Sequence, residues 1–264
     1  MQAAAAVVVR VVPGVHWHVL DDDEVAGRAH ALYRPDNRVF VSVDTWREDV
    51  FAMLVAAIVE DLPVDLRTIV DIDDPAELDR WSAAGFRPNR HEVAYLVPTA
   101  PPATGLHAAR LPAGFTLISA AVADIDRLRA LDELLRDDVP GSDGWVNDPD
   151  QFAADTVDPA LFDPATYLVA VHDASGQYAG LVRVWGRRQH ARLGLVGVRR
   201  PCRRRGLARA MLAAAFPAVH ARGITDVLAE ADVSNTASTA LLTGIGARRI
   251  GGSVELLRPG TAEH

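Results

Sequence analysis

The chain has 264 residues, of which 49% are hydrophobic and 23% charged, and its formal net charge is −8. That length buries a sizeable core in one large domain or two ordinary ones, and the composition excludes a disordered chain. The acidic balance argues against broad nucleic-acid binding, because most of the surface would repel a phosphate backbone.

A lone cysteine, Cys202, excludes an internal disulfide framework and points to a reducing compartment. Its arginine neighbours favour a thiolate, although a small residue tolerated in a turn is the simpler reading. Residues 1–12 carry one arginine and run into strand-like sequence, which is not the form of a signal peptide. No apolar run approaches the roughly 20 residues needed to span a bilayer. The expectation is a cytoplasmic protein with neither a membrane nor a nucleic-acid partner.

Two short β-like runs, 7–12 and 15–20, are broken by Pro13-Gly14. His16 and His18 flank Trp17 and share a strand face, but no third metal ligand is recognisable, so a surface or packing role is expected and no metal. Asp21-Asp22-Asp23-Glu24 reads as a solvated turn. Residues 38–44 alternate cleanly and predict a strand. A helix follows over 46–61, where Val50, Phe51, Leu54, Val55, Ile58 and Val59 recur at helical spacing. Residues 66–72 read as a buried strand. Asp73-Asp74-Pro75 then opens a helix that stops at Gly85, with acidic residues and proline where a helix start favours them. Residues 91–97 close the half as a strand.

Residues 99–113 are rich in proline and alanine without periodicity and read as a linker. Beyond it, 115–120 predicts a strand and 123–137 an amphipathic helix with Ile125, Leu128, Leu131, Leu134 and Leu135 on one stripe. An irregular polar stretch and a short helix at 150–157 follow. Strands at 167–172 and 178–185 are joined by Asp173-Ala174-Ser175-Gly176-Gln177, a hairpin turn. A third strand, 191–198, leads to five arginines and one glycine in residues 199–206, and a helix follows over 207–222. A strand at 226–233, a helix at 235–245 and a strand at 248–257 complete the chain.

A strand feeding a short glycine turn into a helix start presents unpaired N–H groups and the positive end of the helix dipole. With its arginines, the stretch 198–208 is a local anion site in an acidic protein.

The order β-α-α-β-β-β-α-β-α-β over residues 114–258 resembles the Gcn5-related N-acetyltransferase (GNAT) superfamily. Arg203-Arg204-Arg205-Gly206-Leu207-Ala208 fits that family's Arg/Gln-x-x-Gly-x-Gly/Ala signature at each specified position. Asn235, Leu241 and Gly246 agree with its fourth helix, whereas Leu242 and Ala247 stand where a tyrosine and a phenylalanine are usual. The first half resembles a worn copy of the same pattern, ending Ala84-Gly85-Phe86. Between its Asp44 and Arg47 there is only Thr45-Trp46, with no glycine loop. The resemblance implies an α/β (α+β) protein of two GNAT-like domains, each a mixed, mostly antiparallel sheet flanked by helices. Residues 1–98 would be a degenerate domain without a cofactor loop, 99–113 the Pro/Ala-rich linker, and 114–264 the acetyltransferase domain.

The resemblance further implies acetyl-CoA as co-substrate. Its pyrophosphate would lie on the N–H groups of Arg204, Arg205, Gly206, Leu207 and Ala208, with charge from Arg203, Arg204 and Arg205. Val196, Gly197 and Val198 would offer backbone groups to the pantetheine arm, and Asn235 a side-chain contact beside its role as an N-cap. The usual leaving-group acid is missing at Leu242, which leaves Ser234 as the nearest hydroxyl, with Ser238 and Thr239 beyond it. The fourth strand has no carboxylate, so Glu230 in its apolar run becomes the base, unless an arginine such as Arg183 pairs with it. Asp232 shares its face, and His190 precedes the fourth strand. Arg183 and Trp185 would line the acceptor pocket. Asp143, Trp145 and Asp148 fall in the acceptor loop, where acidic and aromatic residues suit a cationic amine. The implied activity is acetyl transfer to a primary amine of a small molecule or protein. Two alternatives are a catalytically silent acyl-CoA-binding pair acting as sensor or scaffold, and mycothiol-synthase-like acetylation of a thiol-precursor amine. Homodimerisation is left open.

Overall fold

The computed structural model describes residues 6–34, 36–140, 148–158, 161–186 and 191–260. It divides into two compact units, residues 1–91 with 253–264 and residues 92–252.

In the first unit, β1 (Val7–Val12), β2 (His16–Asp21), β3 (Glu24–Tyr33) and β4 (Val39–Asp44) form an antiparallel meander. Alternation turns Trp17, Val19, Ala29, Ala31, Val39 and Val41 inward, where they are buried. The apolar stripe of α1 (Glu48–Asp61) packs on them. β5 (Leu66–Asp71) pairs parallel to β4 at Val39–Leu66 and Phe40–Arg67. α2 (Pro75–Ala83) starts as the sequence requires, because the Asp74 carboxylate accepts from the Glu77 N–H at 3.0 Å. Trp81 is 2% exposed and meets Phe51 and Phe86 edge-on.

The second unit follows the same order with two helices added. β7 (Phe115–Ser119), β8 (Tyr167–His172), β9 (Tyr178–Gly186) and β10 (Ala191–Val198) are antiparallel neighbours. α4 (Ile125–Arg136) and α5 (Pro149–Val157) lie between β7 and β8 in the chain and cover one sheet face through Leu128, Leu131, Leu135 and Phe152. α6 (Leu207–His220), β11 (Asp226–Asp232) and α7 (Thr236–Thr243) follow, with α6 and Leu242 of α7 packed in the core on the other face.

Two expectations are corrected. The domain boundary at 98 and 114 is not where the compact units divide. Residues 92–98 of β6 (Arg87–Pro98) pair antiparallel with β11, and residues 253–258 of β12 (Arg248–Arg258) pair antiparallel with β5. Each unit's last strand thus comes from the part of the chain read as the other domain, since alternation specifies a strand's face but not its neighbour. The linker 99–113 is packed: α3 (Pro101–Thr104) and the 3₁₀ turn Leu106–Ala108 bury Thr104 and Leu106, and the buried Thr99 hydroxyl donates to the Ile224 carbonyl at 2.6 Å. The acidic stretch at 21–24 is the solvated turn expected, closing a hairpin with Asp22 and Asp23 both left-handed (φ 48° and 64°), and it leads into β3. β3 escaped detection because its inward positions are small: Gly27, Ala29 and Ala31.

Candidate active site

The arginine turn sits where the topology opens the sheet of the second unit. Among the described residues β10 and β11 pair in parallel at two positions, Ala191–Val227 and Arg192–Leu228. Beyond them Leu195, Val196, Gly197 and Val198 hydrogen-bond with β9 in register, while their other backbone edge faces away from it. A bulge between Leu193 and Leu195 marks the departure.

Past Val198, a 3₁₀ turn (Arg200–Cys202) brings the chain to Arg204 and Gly206, both left-handed at φ 63° and 83°. Gly206 is the N-cap of α6, and a Cβ there would meet nothing within 4 Å. Among the described residues, the N–H groups of Arg204, Arg205, Gly206, Leu207 and Ala208 find no acceptor. Two left-handed positions one residue apart before a helix start cluster such donors for an anion, and α6 adds its positive end.

The arginines divide by partner. Arg203 Nε donates to the Val198 carbonyl at 2.8 Å, and its Nη2 donates to Asp138 Oδ2 at 2.5 Å. Arg200 Nε also donates to Asp138 at 2.8 Å. Hydrogen bonds from Arg200 and then Arg203 hold the Asp138 carboxyl below its ordinary 3.8 despite partial burial. Arg199 donates to Gln177 at 2.8 Å, and the Arg205 guanidinium stands 4.7 Å over the Phe115 ring. Arg204 is exposed at the tip. Asp138 was invisible to sequence reasoning because it lies 62 residues from Arg200 and 65 from Arg203.

β11 turns Val227, Ala229 and Ala231 into the core, so Glu230 and Asp232 face the opposite side. Glu230 is exposed and ion-paired with Arg192, which corrects both the apolar setting and the Arg183 partner expected for it. Asp232 is buried and accepts from the Ser234 backbone N–H at 2.8 Å and from its hydroxyl at 2.5 Å. Asn235 caps α7, its side-chain oxygen accepting from the Ser238 N–H at 3.0 Å. Leu242, at the position of the usual tyrosine, is 3% exposed and belongs to the core.

Arg183 and Trp185 project from β9 on the face that α4 covers. The Arg183 guanidinium lies 4.7 Å over the Trp185 ring and 4.0 Å from Asp132 of α4. A Cβ on Gly194 would stand 3.3 Å from the Trp185 indole, which keeps the bulge narrow. Trp145, Asp143 and His190 lie outside the described residues.

The corresponding turn of the first unit is built for another purpose. Asp44 to Arg47 contains no glycine, and the Thr45 hydroxyl donates to the Ala26 carbonyl at 3.0 Å. Glu48 and Asp49 occupy the first turn of α1, where their carboxylates meet the exposed helix dipole. Arg47 there is engaged by Asp49 and Asp21.

Residues 128–246 match the model of the Acetyltransferase (GNAT) family. No curated protein sequence is significantly similar. A GCN5-related N-acetyltransferase from Sphaerobacter thermophilus is similar in fold at 22% identity, with a TM-score of 0.69 over 95% of this chain and 83% of that one. A tandem GNAT protein from the clavulanic acid biosynthesis pathway aligns over 100% of this chain and 86% of its own, at 16% identity and a TM-score of 0.67. A GCN5-related N-acetyltransferase from Kribbella flavida gives 16% identity, 97% and 91% coverage and a TM-score of 0.59.

Proposed function

Because residues 128–246 match the model of the Acetyltransferase (GNAT) family, we propose that the protein is an acyl-CoA-dependent N-acyltransferase that moves an acetyl group from acetyl-CoA to a primary amine. The observation that carries this reading is the Gly206 turn, whose unpaired amides and flanking guanidiniums open beside the split between β10 and β11. Those residues fit a pyrophosphate. Five backbone donors are left without an acceptor, a Cβ on Gly206 would meet nothing within 4 Å, and three of the arginines lie on the turn itself. Acetyl-CoA supplies the activated acyl carbon as a thioester. Val196 and Gly197 present the unpaired strand edge to the extended arm of the cofactor, and Asn235 remains its side-chain contact in addition to capping α7. The Val198 carbonyl already accepts from Arg203 and so acts through the shape of the turn.

Transfer forms a C–N bond, breaks the C–S bond, removes a proton from the amine and returns one to the sulfur. Glu230 shares the sheet face of Arg183 and Trp185 and would take the amine proton, after exchanging Arg192 for the incoming nucleophile. Ser234 would protonate the thiolate by giving up its hydrogen bond to Asp232. Since Leu242 is packed in the core, no stronger acid stands at that position.

One cofactor per chain is expected, because the equivalent turn of the first unit carries its own carboxylates and no glycine. The first unit, with its sheet and helix order matching the second, is read as a copy that no longer binds cofactor. The lone cysteine suits the cytoplasm, where acetyl-CoA is abundant; among the described residues no helix is long and apolar enough to cross a membrane.

The buried Leu242 and the engaged Ser234 also support a second reading, a silent acyl-CoA sensor. Release of free CoA thiol from acetyl-CoA across a panel of amines separates the two. Turnover is expected, with a drop of about a hundredfold in Glu230→Gln, the usual worth of a general base. Cofactor binding without thiol release from any amine would establish the sensor instead, and unchanged turnover in Glu230→Gln would remove that residue as base.

A further inference from the structure

Arg183 is a buried cation with a donor left unsatisfied. It is 7% exposed, and its Nε is buried with no hydrogen-bond partner. The closest carboxylate, Asp132 Oδ1, stands 4.0 Å away, and the other oxygen of that carboxylate accepts from Arg136 Nε at 2.6 Å. Among the described residues, two guanidiniums therefore share Asp132. The ring of Tyr167 lies 5.4 Å from the Arg183 guanidinium on one side, and Trp185 lies 4.7 Å away. Burial pushes the Tyr167 phenol up to about 12, so it stays neutral and adds no negative charge. A guanidinium withdrawn from water with an unsatisfied donor is costly unless an acceptor completes it, and an anion does so best.

Its place in the sheet says what that anion belongs to. Arg183 is in register with Leu195, just past the bulge that follows the last β10–β11 pair at Arg192. It shares the α4-covered face with Trp185, which closes over the Gly194 bulge. The positive charge therefore borders the reacting end of the proposed acyl-transfer site, on the sheet face opposite α6, and lies away from the pyrophosphate turn.

We propose that Arg183 binds a carboxylate carried by one of the two co-substrates, an amino-acid-like acceptor or a dicarboxylic acyl group. The inference rests on the acyl-transfer reading of the same site. The guanidinium geometry, a planar fork flanked by rings, suits a carboxylate held edge-on. The carboxylate arrives either on the acceptor amine or as the far end of a dicarboxylic acyl group, and the two sources are separable.

The test is steady-state kinetics with acetyl-CoA and matched acceptors, each amino acid against its carboxamide, and separately acetyl-CoA against succinyl-CoA with one neutral amine. At least a tenfold lower KM is expected for the carboxylate member of one pair, which identifies the source. Arg183→Gln should raise that KM tenfold or more while leaving KM for the uncharged member and the Kd for CoA unchanged, and Arg183→Lys should restore part of the loss. A merely structural arginine would weaken both members equally. Equal KM values within both pairs in the unmodified protein overturn the proposal, even where the variant fails to fold. Should no acceptor release thiol although CoA binds, the transfer reading fails. Calorimetry then decides Arg183 by itself: tighter binding of amino acid than of carboxamide to the CoA-loaded protein, or of succinyl-CoA than of acetyl-CoA to the free protein, supports it, and no discrimination in either pair overturns it.

Discussion

A single residue, Gly206, concentrates what the turn demands. Its φ of 83° costs an L-residue about 1–2 kcal/mol, yet a Cβ there meets nothing within 4 Å. Gly206→Glu should therefore fold with modest loss while placing a carboxylate at the mouth of the amide cluster. Its Kd for CoA, read by calorimetry, is expected to rise at least a hundredfold; unchanged affinity would relocate the cofactor site. The arginines around it are not equivalent. Arg203 and Arg200 are fixed by Asp138, so part of the positive charge seen in the sequence acts as a clamp between the turn and the end of α4. The motif at 203–208 was legible because its spacing is local. The clamp was not, because its acidic half is encoded more than sixty residues upstream. The setting of Glu230 was missed in a similar way: its apolar neighbours are genuine, but alternation sends them to the core and leaves the carboxylate outside with Arg192.

At the level of elements, the split between β10 and β11 depends on close packing behind it. Gly180 of β9 pairs with Val198, and a Cβ on it would stand 2.6 Å from the Gly197 carbonyl oxygen. That oxygen belongs to backbone and cannot swing aside. Gly180→Ala should cost about 1–3 kcal/mol, the range for overpacking a filled interior, and weaken CoA binding through the displaced strand. Urea unfolding with CoA affinity on the same sample checks both, and a variant as stable as the parent would show that β10 is freer than its contacts imply. Most elements were legible from periodicity: α1, α4 and α6 by apolar stripes, β4 and β8 by alternation and flanking turns. β3 was lost because alanine and glycine at its inward positions carry almost no hydropathy contrast, and α3 because proline and alanine suit a linker and a short helix equally.

For the molecule as a whole, the two-unit reading survives but its chain boundaries do not. Leu256, near the C-terminal end, is fully buried in the core of the unit formed by residues 1–91 with 253–264. Leu256→Ala should destabilise that unit by about 2–5 kcal/mol. Hydrogen exchange of the α1 and β5 amides should accelerate accordingly, and protection there equal to the parent's would show that β12 contributes little. The sequence by itself determined most of the element order, the repetition of that order in both halves, the amide-rich turn at 203–208 and its absence after Asp44, because these depend on periodicity and on residues a few positions apart. The tertiary structure alone decided which strand completes each sheet, which carboxylate holds the arginine turn, and that Arg183 stands buried beside the parting of β10 and β11. Those outcomes join residues distant in the chain, and strand pairing, desolvation and charge balance act only once such residues are brought together.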